Sequence, residues 1–312
     1  MIQSSSHQTV VVTGAGGFIG RAVVDAFLRR DWAVRALVGA PGQQVGELPD
    51  NVELFRAEIT DATAVTALVD GADAVVHLAG QASVRASFDA PSDYSNVHVS
   101  GTATVLEACR RNKVKRLVYI SSAEVYGRPQ STPVGEDHPL QARSPYAAAK
   151  IGAERFVESF VYAFQMEAIV LRPFSIYGPG LASQSLIGTI LEQSRNGDRV
   201  ELRDLKPVRD YCYVGDIADA IACSVAVPID RLHYINLGSG QGTNVAQLAR
   251  LILELIGRDM PVCEITTNRR PGKSEIYELI CDPQLAHTVL GWCTTTTLKS
   301  GLENTIRSME NQ

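Results

Sequence analysis

The chain has 312 residues, 45% hydrophobic and 20% charged, which is enough core for one large domain or one domain with a smaller second lobe. Its net charge of −5, with no basic cluster, argues against nucleic acid as the main partner. No apolar run is long enough to span a membrane, and the polar start MIQSSSHQ lacks the apolar stretch of a signal peptide. The six cysteines, at 109, 212, 223, 263, 281 and 293, form no C-x-x-C and pair with no nearby histidine at zinc spacing. Reduced thiols in a cytoplasmic protein, and no metal site, are the expectation.

TVVVTG (9–14) is a short β-branched run ending in glycine, the pattern of a buried parallel strand. Residues 18–32 carry apolar side chains at helical spacing, and AVRALV (33–38) is a second strand. VTALVDG (65–71) ends a helix, and DAVVHLAG (73–80) is again a buried strand. An amphipathic helix over 101–114 leads to the strand KRLVYISS (115–122). A long helix then runs from Ser144 through AAAKIGAERFVESFVYAF, and EAIVLRP (167–173) is strand once more. This alternation predicts right-handed crossovers and an α/β doubly wound parallel sheet over residues 1–175. After about residue 175, Pro and Gly punctuate YGPGLASQ and the rhythm changes. Residues 176–312 are expected to form mainly a smaller C-terminal substrate-binding lobe, with some segments returning to the main sheet.

VVVTGAGGFIG places Gly14, Gly17 and Gly20 in a G-x-x-G-x-x-G pattern between a strand and a helix. Glycines at such a turn let a phosphate approach the helix N-terminus, so a dinucleotide site is expected there. SPYAAAK (144–150) reads locally as a helix start, with Ser144 as N-cap and Pro145 at the first helical position. Tyr146 and Lys150 then share one face, one turn apart. Alone, such a spacing is common by chance, and the leading reading is a capped helix with an exposed Tyr and Lys.

With HLAG (77–80) and SSAEVYG (121–127) added to these two segments, the chain resembles the extended short-chain dehydrogenase/reductase family. Within it, the chain is similar to the nucleotide-sugar epimerases and dehydratases, from residue 9 to about 305. The resemblance implies a Rossmann fold with NAD bound at Gly14, Gly17, Phe18, Ile19 and Gly20. Leu78, Ala79 and Gly80 would line the same cofactor, and Glu58 and Ile59 would flank its adenine. Tyr146 corresponds to the family's catalytic tyrosine, Lys150 to its lysine and Ser122 to its Ser/Thr. Lys150 and a nicotinamide cation would lower the tyrosine pKa, and Lys150 would also reach the nicotinamide ribose. Family dimers pack two helices from each subunit, so a homodimer through helices 101–112 and 147–164 is implied.

Two positions depart from the family pattern. The second strand ends in Val38 and Gly39, where NAD binders carry an acid on the adenosine ribose. No arginine stands there either, so NADP is not excluded. His98 replaces the asparagine of N-V-x-G-T, and a structural role is expected for it.

The resemblance also supplies a substrate, a nucleotide-diphosphate sugar. Arg209 of PVRDYCYV and Arg270 of RRPGK match its phosphate-contacting arginines, and guanidinium forks suit that role. Ser83 lies in the S-V-x-x-S loop typical of the epimerases, and Ser175 stands where the family has asparagine. The expected reaction is 4-epimerisation by transient oxidation at C4. Glu124, in SSAEVYG, matches a glutamate of 4,6-dehydratases and uronic acid decarboxylases, although Ala123 lacks the dehydratases' partner acid. An NADPH-dependent 4-keto-sugar reductase and a non-catalytic dinucleotide-binding regulator complete the alternatives.

Overall fold

The computed structural model describes residues 8–40, 42, 45–265 and 274–310. The strands are β1 (Thr9–Thr13), β2 (Ala33–Val38), β3 (Glu53–Arg56), β4 (Ala74–His77), β5 (Arg116–Ile120), β6 (Glu167–Pro173), β7 (Ser175–Tyr177), β8 (Val200–Leu202), β9 (Val208–Tyr213), β10 (Leu232–Leu237), β11 (Gly242–Asn244), β12 (Val262–Glu264) and β13 (Glu278–Leu279). The helices are α1 (Phe18–Leu28), α2 (Ala62–Val69), α3 (Pro91–Ser95), α4 (Gly101–Arg111), α5 (Pro145–Phe164), α6 (Leu186–Asn196), α7 (Val214–Ala226), α8 (Val245–Leu255), α9 (Gln284–Leu290) and α10 (Leu298–Glu310).

Seven strands form one parallel sheet in the order β10-β6-β5-β4-β1-β2-β3. The chain winds outward from β1 in both directions, so the switch point falls between β1 and β4, where open α/β sheets bind ligands at their carboxyl ends. Strands such as β4 (AVVH) are buried throughout because helices cover both faces. One face packs on α1 and α7, with Val12, Phe27 and Ile221 fully buried; the other packs on α2, α4 and α5, with Leu68, Leu106 and Val157. A second core, around Ile190, Leu248, Ile252 and Leu302, joins α6, α8 and α10. Beside it, β9 pairs with β7, β11 and β13, and β8 pairs with β12.

The expected first helix stops at Leu28, because the chain turns through a left-handed Asp31 (φ 59°) before β2. Helix α2 begins three residues ahead of the expected run, where Asp61 caps it by accepting from Thr63 N and Ala64 N at 3.0 Å. Residues 214–237 carry α7 and β10 back to the main sheet, where Leu232 pairs with Ala168 of β6. Asp216, in the first turn of α7, ties that helix to the segment before α10 by accepting from the backbone and hydroxyls of Thr295 and Thr296.

A buried ion pair braces α5 against the sheet. Arg172 of β6 donates to both carboxylate oxygens of Glu154, at 3.0 and 2.7 Å, and Ser121 donates to the same carboxylate at 2.5 Å. Arg172 also reaches Tyr126 Oη (3.0 Å), which donates to Asn236 Oδ1 (2.6 Å). Removing one partner would strand the other charge in the core. Arg172→Met is therefore expected to lower stability by about 3 kcal/mol or more, read from the midpoint of urea unfolding.

Candidate active site

The glycine turn lies at the switch point. Gly14 has φ +71°, and a Cβ on it would sit 2.9 Å from Ala79 Cα, so β1 and the loop after β4 meet only through glycine. A Cβ on Gly20 would fall 2.2 Å from Gly14 O, which fixes a second glycine where α1 presses on the turn. Gly17 caps α1 without a side-chain bond, so the first amides of the helix, beginning at Phe18 and Ile19, meet no side-chain cap. Free amides, a bare glycine surface and a helix dipole suit a pyrophosphate. On the other wall, Thr13 Oγ1 accepts from Ala79 N at 3.1 Å, and Leu78 N donates to Thr13 O at 3.2 Å. These residues fit a dinucleotide cofactor.

Ser144 caps α5 by accepting from Ala147 N at 3.1 Å, with Pro145 in the first turn. That places Tyr146, Lys150 and Glu154 on one face, one turn apart. Lys150 is 4% exposed; its Nζ donates to Ile120 O at 2.6 Å, at the end of β5. The ammonium lies 5.0 Å from the Tyr119 ring centre and 6.0 Å from that of Tyr146. Ser122 lies two residues past the end of β5 and accepts from Glu124 N at 3.2 Å. Ser122, Tyr146 and Lys150 therefore converge at the carboxyl end of β5, with half-buried Glu124 beside them.

Burial governs the electrostatics. It pushes the Tyr146 phenol up to about 12, with a hydrogen bond to Ser122 pulling the other way and Glu124 adding to the rise. This is opposite in direction to the lowering expected from the sequence, because desolvation of the buried phenol outweighs the Ser122 hydrogen bond. Lys150 is brought down to about 7 by the same burial, opposed by Glu154. His98 is brought down to about 3 by burial and then by the Lys150 charge, so it is neutral. Its ring stands edge-on to Tyr146 at 5.5 Å, and Nε2 pairs with Gln81 O at 3.0 Å. The ring also fills the space beside Gly80, where a Cβ would lie 2.2 Å from Cε1. His98 thus packs against the Tyr146 ring and holds the loop after β4, a structural part.

The other expected contacts are spread more widely. Glu58 is exposed, whereas Ile59 is buried in the core beneath α4, against Gly101. Ser83 is exposed; its Oγ accepts from Ala86 N and its carbonyl from Tyr94 Oη. Ser175 starts β7 opposite Tyr211, and Arg209 lies nearby on β9, 3.7 Å from Glu275. Arg270 lies outside the described residues. Among the described residues, no group of three or more His, Cys, Asp or Glu could hold a metal ion.

Sequence reading missed Arg21. It stands one residue past Gly20 and is lodged between two loops: a Cβ on Gly46 would lie 2.6 Å from its Cδ, and one on Gly180 2.4 Å from Nη2. Its Nε is buried, with no hydrogen-bond partner among the described residues. The signal was present, a cation following the glycine turn, but the loops that enclose it are distant in sequence.

The Lys150 shift has a measurable consequence. In the unfolded chain the amine holds its proton up to its ordinary 10.5, whereas in the fold it sheds it near 7. The unfolded chain binds more protons between these values, so stability contributed by this site rises with pH across that window. Wild type is expected to gain stability relative to Lys150→Met between pH 7.5 and 10, by ~2 kcal/mol or more in urea unfolding. A flat difference would contradict it.

Known proteins carry the same frame. The family model described as the NAD dependent epimerase/dehydratase family matches residues 10–238. A UDP-glucose 4-epimerase of Mycolicibacterium smegmatis is 30% identical, over 97% of this chain and 98% of its own. A dTDP-glucose 4,6-dehydratase of Mycobacterium tuberculosis is 32% identical, over 95% of this chain and 92% of its own. The crystal structure of a UDP-glucose 4-epimerase from Thermotoga maritima, with UDP-glucose, superposes with a TM-score of 0.90 at 28% identity, covering 97% of this chain and 99% of that one. With its glycine turn, its seven-stranded sheet and a match over most of its length, the chain belongs to the NAD dependent epimerase/dehydratase family.

Proposed function

We propose that the chain is an NAD-dependent nucleotide-sugar 4-epimerase, with Tyr146 as the acid–base group. The observation that carries this reading is the convergence of Ser122, Tyr146 and Lys150 at the strand end beside the glycine cradle. The similarity to UDP-glucose 4-epimerases over nearly the whole chain supports the sugar chemistry.

In this reading the cofactor rests on Gly14, Gly17, Phe18, Ile19 and Gly20, with Leu78, Ala79 and Gly80 opposite. When bound there, the nicotinamide would supply hydride chemistry at sugar C4. Tyr146 removes the proton of the 4-hydroxyl and gives it back on completion. Ser122 holds that hydroxyl and bonds the phenol, which favours the phenolate against the burial that opposes it, and Lys150 stands one turn along the same helix face with its Nζ 6.0 Å from the phenol ring centre. Burial keeps water from the reacting groups, so the keto sugar turns over within the site. In this reading residues 176–312 supply most of the substrate-binding side, with Arg209 and Arg270 for the diphosphate, while Ser83 and Ser175, from earlier in the chain, meet the sugar. Epimerisation leaves the substrate's mass unchanged and needs no added cofactor once the dinucleotide is bound.

A second reading, 4,6-dehydration or uronic acid decarboxylation, is favoured by Glu124, whose charge acts on Tyr146. The dehydratase relative supports it as well. Ala123 beside Glu124 weighs against dehydration. The proposed homodimer uses α4 and α5. Large apolar side chains lie open on α5: Phe156 41%, Tyr162 64% and Phe164 47% exposed. Light scattering at assay concentration tests it, and a monomer would refute it. No helix among the described residues is long and apolar enough to cross a membrane, and we place the protein in the cytoplasm.

Incubation with a panel of nucleotide sugars, no cofactor added, is expected to give a product of unchanged mass and altered retention. Loss of water or carbon dioxide would move the reading to the second. Tyr146→Phe is expected to lower turnover at least ~100-fold while dinucleotide binding persists; unchanged turnover would refute its role.

A further inference from the structure

We propose that the adenosine end of the cofactor site accepts a 2′-phosphorylated dinucleotide, so that NADP(H) binds alongside NAD(H), with Arg56 as the residue that meets the phosphate. The inference concerns the cofactor's far end and holds whichever sugar reaction follows.

Three observations lead to it. First, the residue at the end of β2, where a carboxylate would hold the ribose hydroxyls and repel a phosphate, is Val38. Val38 stands beside the glycine turn, since a Cβ on Gly16 would lie 3.3 Å from its Cγ1. Val45 of the following loop closes on the same glycine, so two apolar side chains, not an acid, stand against the turn here.

Second, the sheet sets Arg56 next to Val38. The two are register partners in the parallel β2–β3 pair. Partners in register point to the same face, about 5 Å apart. Leu37 and its partner Phe55 pack on the α2/α4 core, whereas Val38 belongs to the α1 core. Alternation therefore turns Arg56 to the face of α1 and the glycine turn, at the carboxyl end of the edge strand.

Third, this guanidinium is uncommitted. Among the described residues Arg56 has no ion pair and no side-chain hydrogen bond. The neighbouring register pair makes the contrast. Arg35, opposite Glu53, donates to that carboxylate at 3.0 Å and to the carbonyls of Leu68 and Asp70. The cation written in the strand is thus used up at the other end of the sheet, and the one that sequence distance separates from β2 is free. A planar guanidinium with several donors matches a phosphate monoester.

Nicotinamide fluorescence titrations of the purified protein, freed of bound dinucleotide, with NADH and NADPH at one ionic strength test this. NADPH is expected to bind within about tenfold of NADH; a weaker NADPH would overturn the proposal. Arg56→Ala is expected to weaken NADPH about tenfold while NADH changes less than about twofold. An equal loss for both would show that Arg56 serves no 2′-phosphate. Val38→Asp provides the second variant: it is expected to weaken NADPH at least about tenfold and leave NADH unchanged or tighter. If NADPH binding were indifferent to that acid, the proposal would fall. Arg56 is exposed on an edge strand and Val38 is at a strand end; circular dichroism and unfolding midpoints verify that each variant remains folded.

Discussion

The site depends on satisfying a line of buried polar groups along one face of α5. Tyr146, Lys150 and Glu154 lie one turn apart, and all three are almost wholly removed from water. Such a row is tolerable only if the strand ends answer it. The carbonyl of Ile120 takes the ammonium, and Arg172 and Ser121 take the carboxylate. Because those partners come from the ends of β5 and β6, the helix is fixed in both rotation and height against the sheet. The reactive phenol is thereby aimed at the same edge as the glycine turn of β1. Burial that raises the Tyr146 pKa and lowers that of Lys150 also leaves the pair responsive to any charge placed next to it. A cationic ring and an anionic substrate would therefore act on these groups more strongly than water-exposed charges could.

Local patterns in the chain are legible, and long-range pairings are not. Gly14, Gly17 and Gly20 announce themselves because they stand between a β-branched run and an apolar helix, where so tight a turn calls for residues without a Cβ. Ser144 and Pro145 mark a helix start by chemistry that acts over three residues. By contrast, ELFR of β3 carries an exposed edge and a polar end, so no run of apolar residues betrays it. Arg56 gains meaning only when the register puts it opposite Val38. Glu154 and Arg172 are 18 residues apart, in a helix and in a strand whose residues would each pass for ordinary surface charges. The direction of the Tyr146 shift escapes the sequence for a related reason: motifs name the neighbours, but they do not give the depth of burial.

The architecture divides the labour. The parallel sheet supplies carboxyl ends where amides and small residues meet a dinucleotide. The later chain supplies β7, β9 and their partners, which set Ser175 opposite Tyr211 and bring Arg209 onto the same strand as Tyr211. The return of α7 and β10 to the main sheet ties the two halves together. Asp216 at the start of α7 secures the segment at Thr295 and Thr296, so the lobe is clamped to the sheet rather than tethered by a linker.

The central claim is that one hydride leaves C4 and comes back to C4 within a closed site. The most direct test supplies a nucleotide glucose carrying deuterium at C4, in ordinary water, and locates the label in the product. The account predicts the 4-epimer with deuterium still on C4 and no exchange with solvent. Deuterium moved to C6 with loss of water, or washed out altogether, would contradict it.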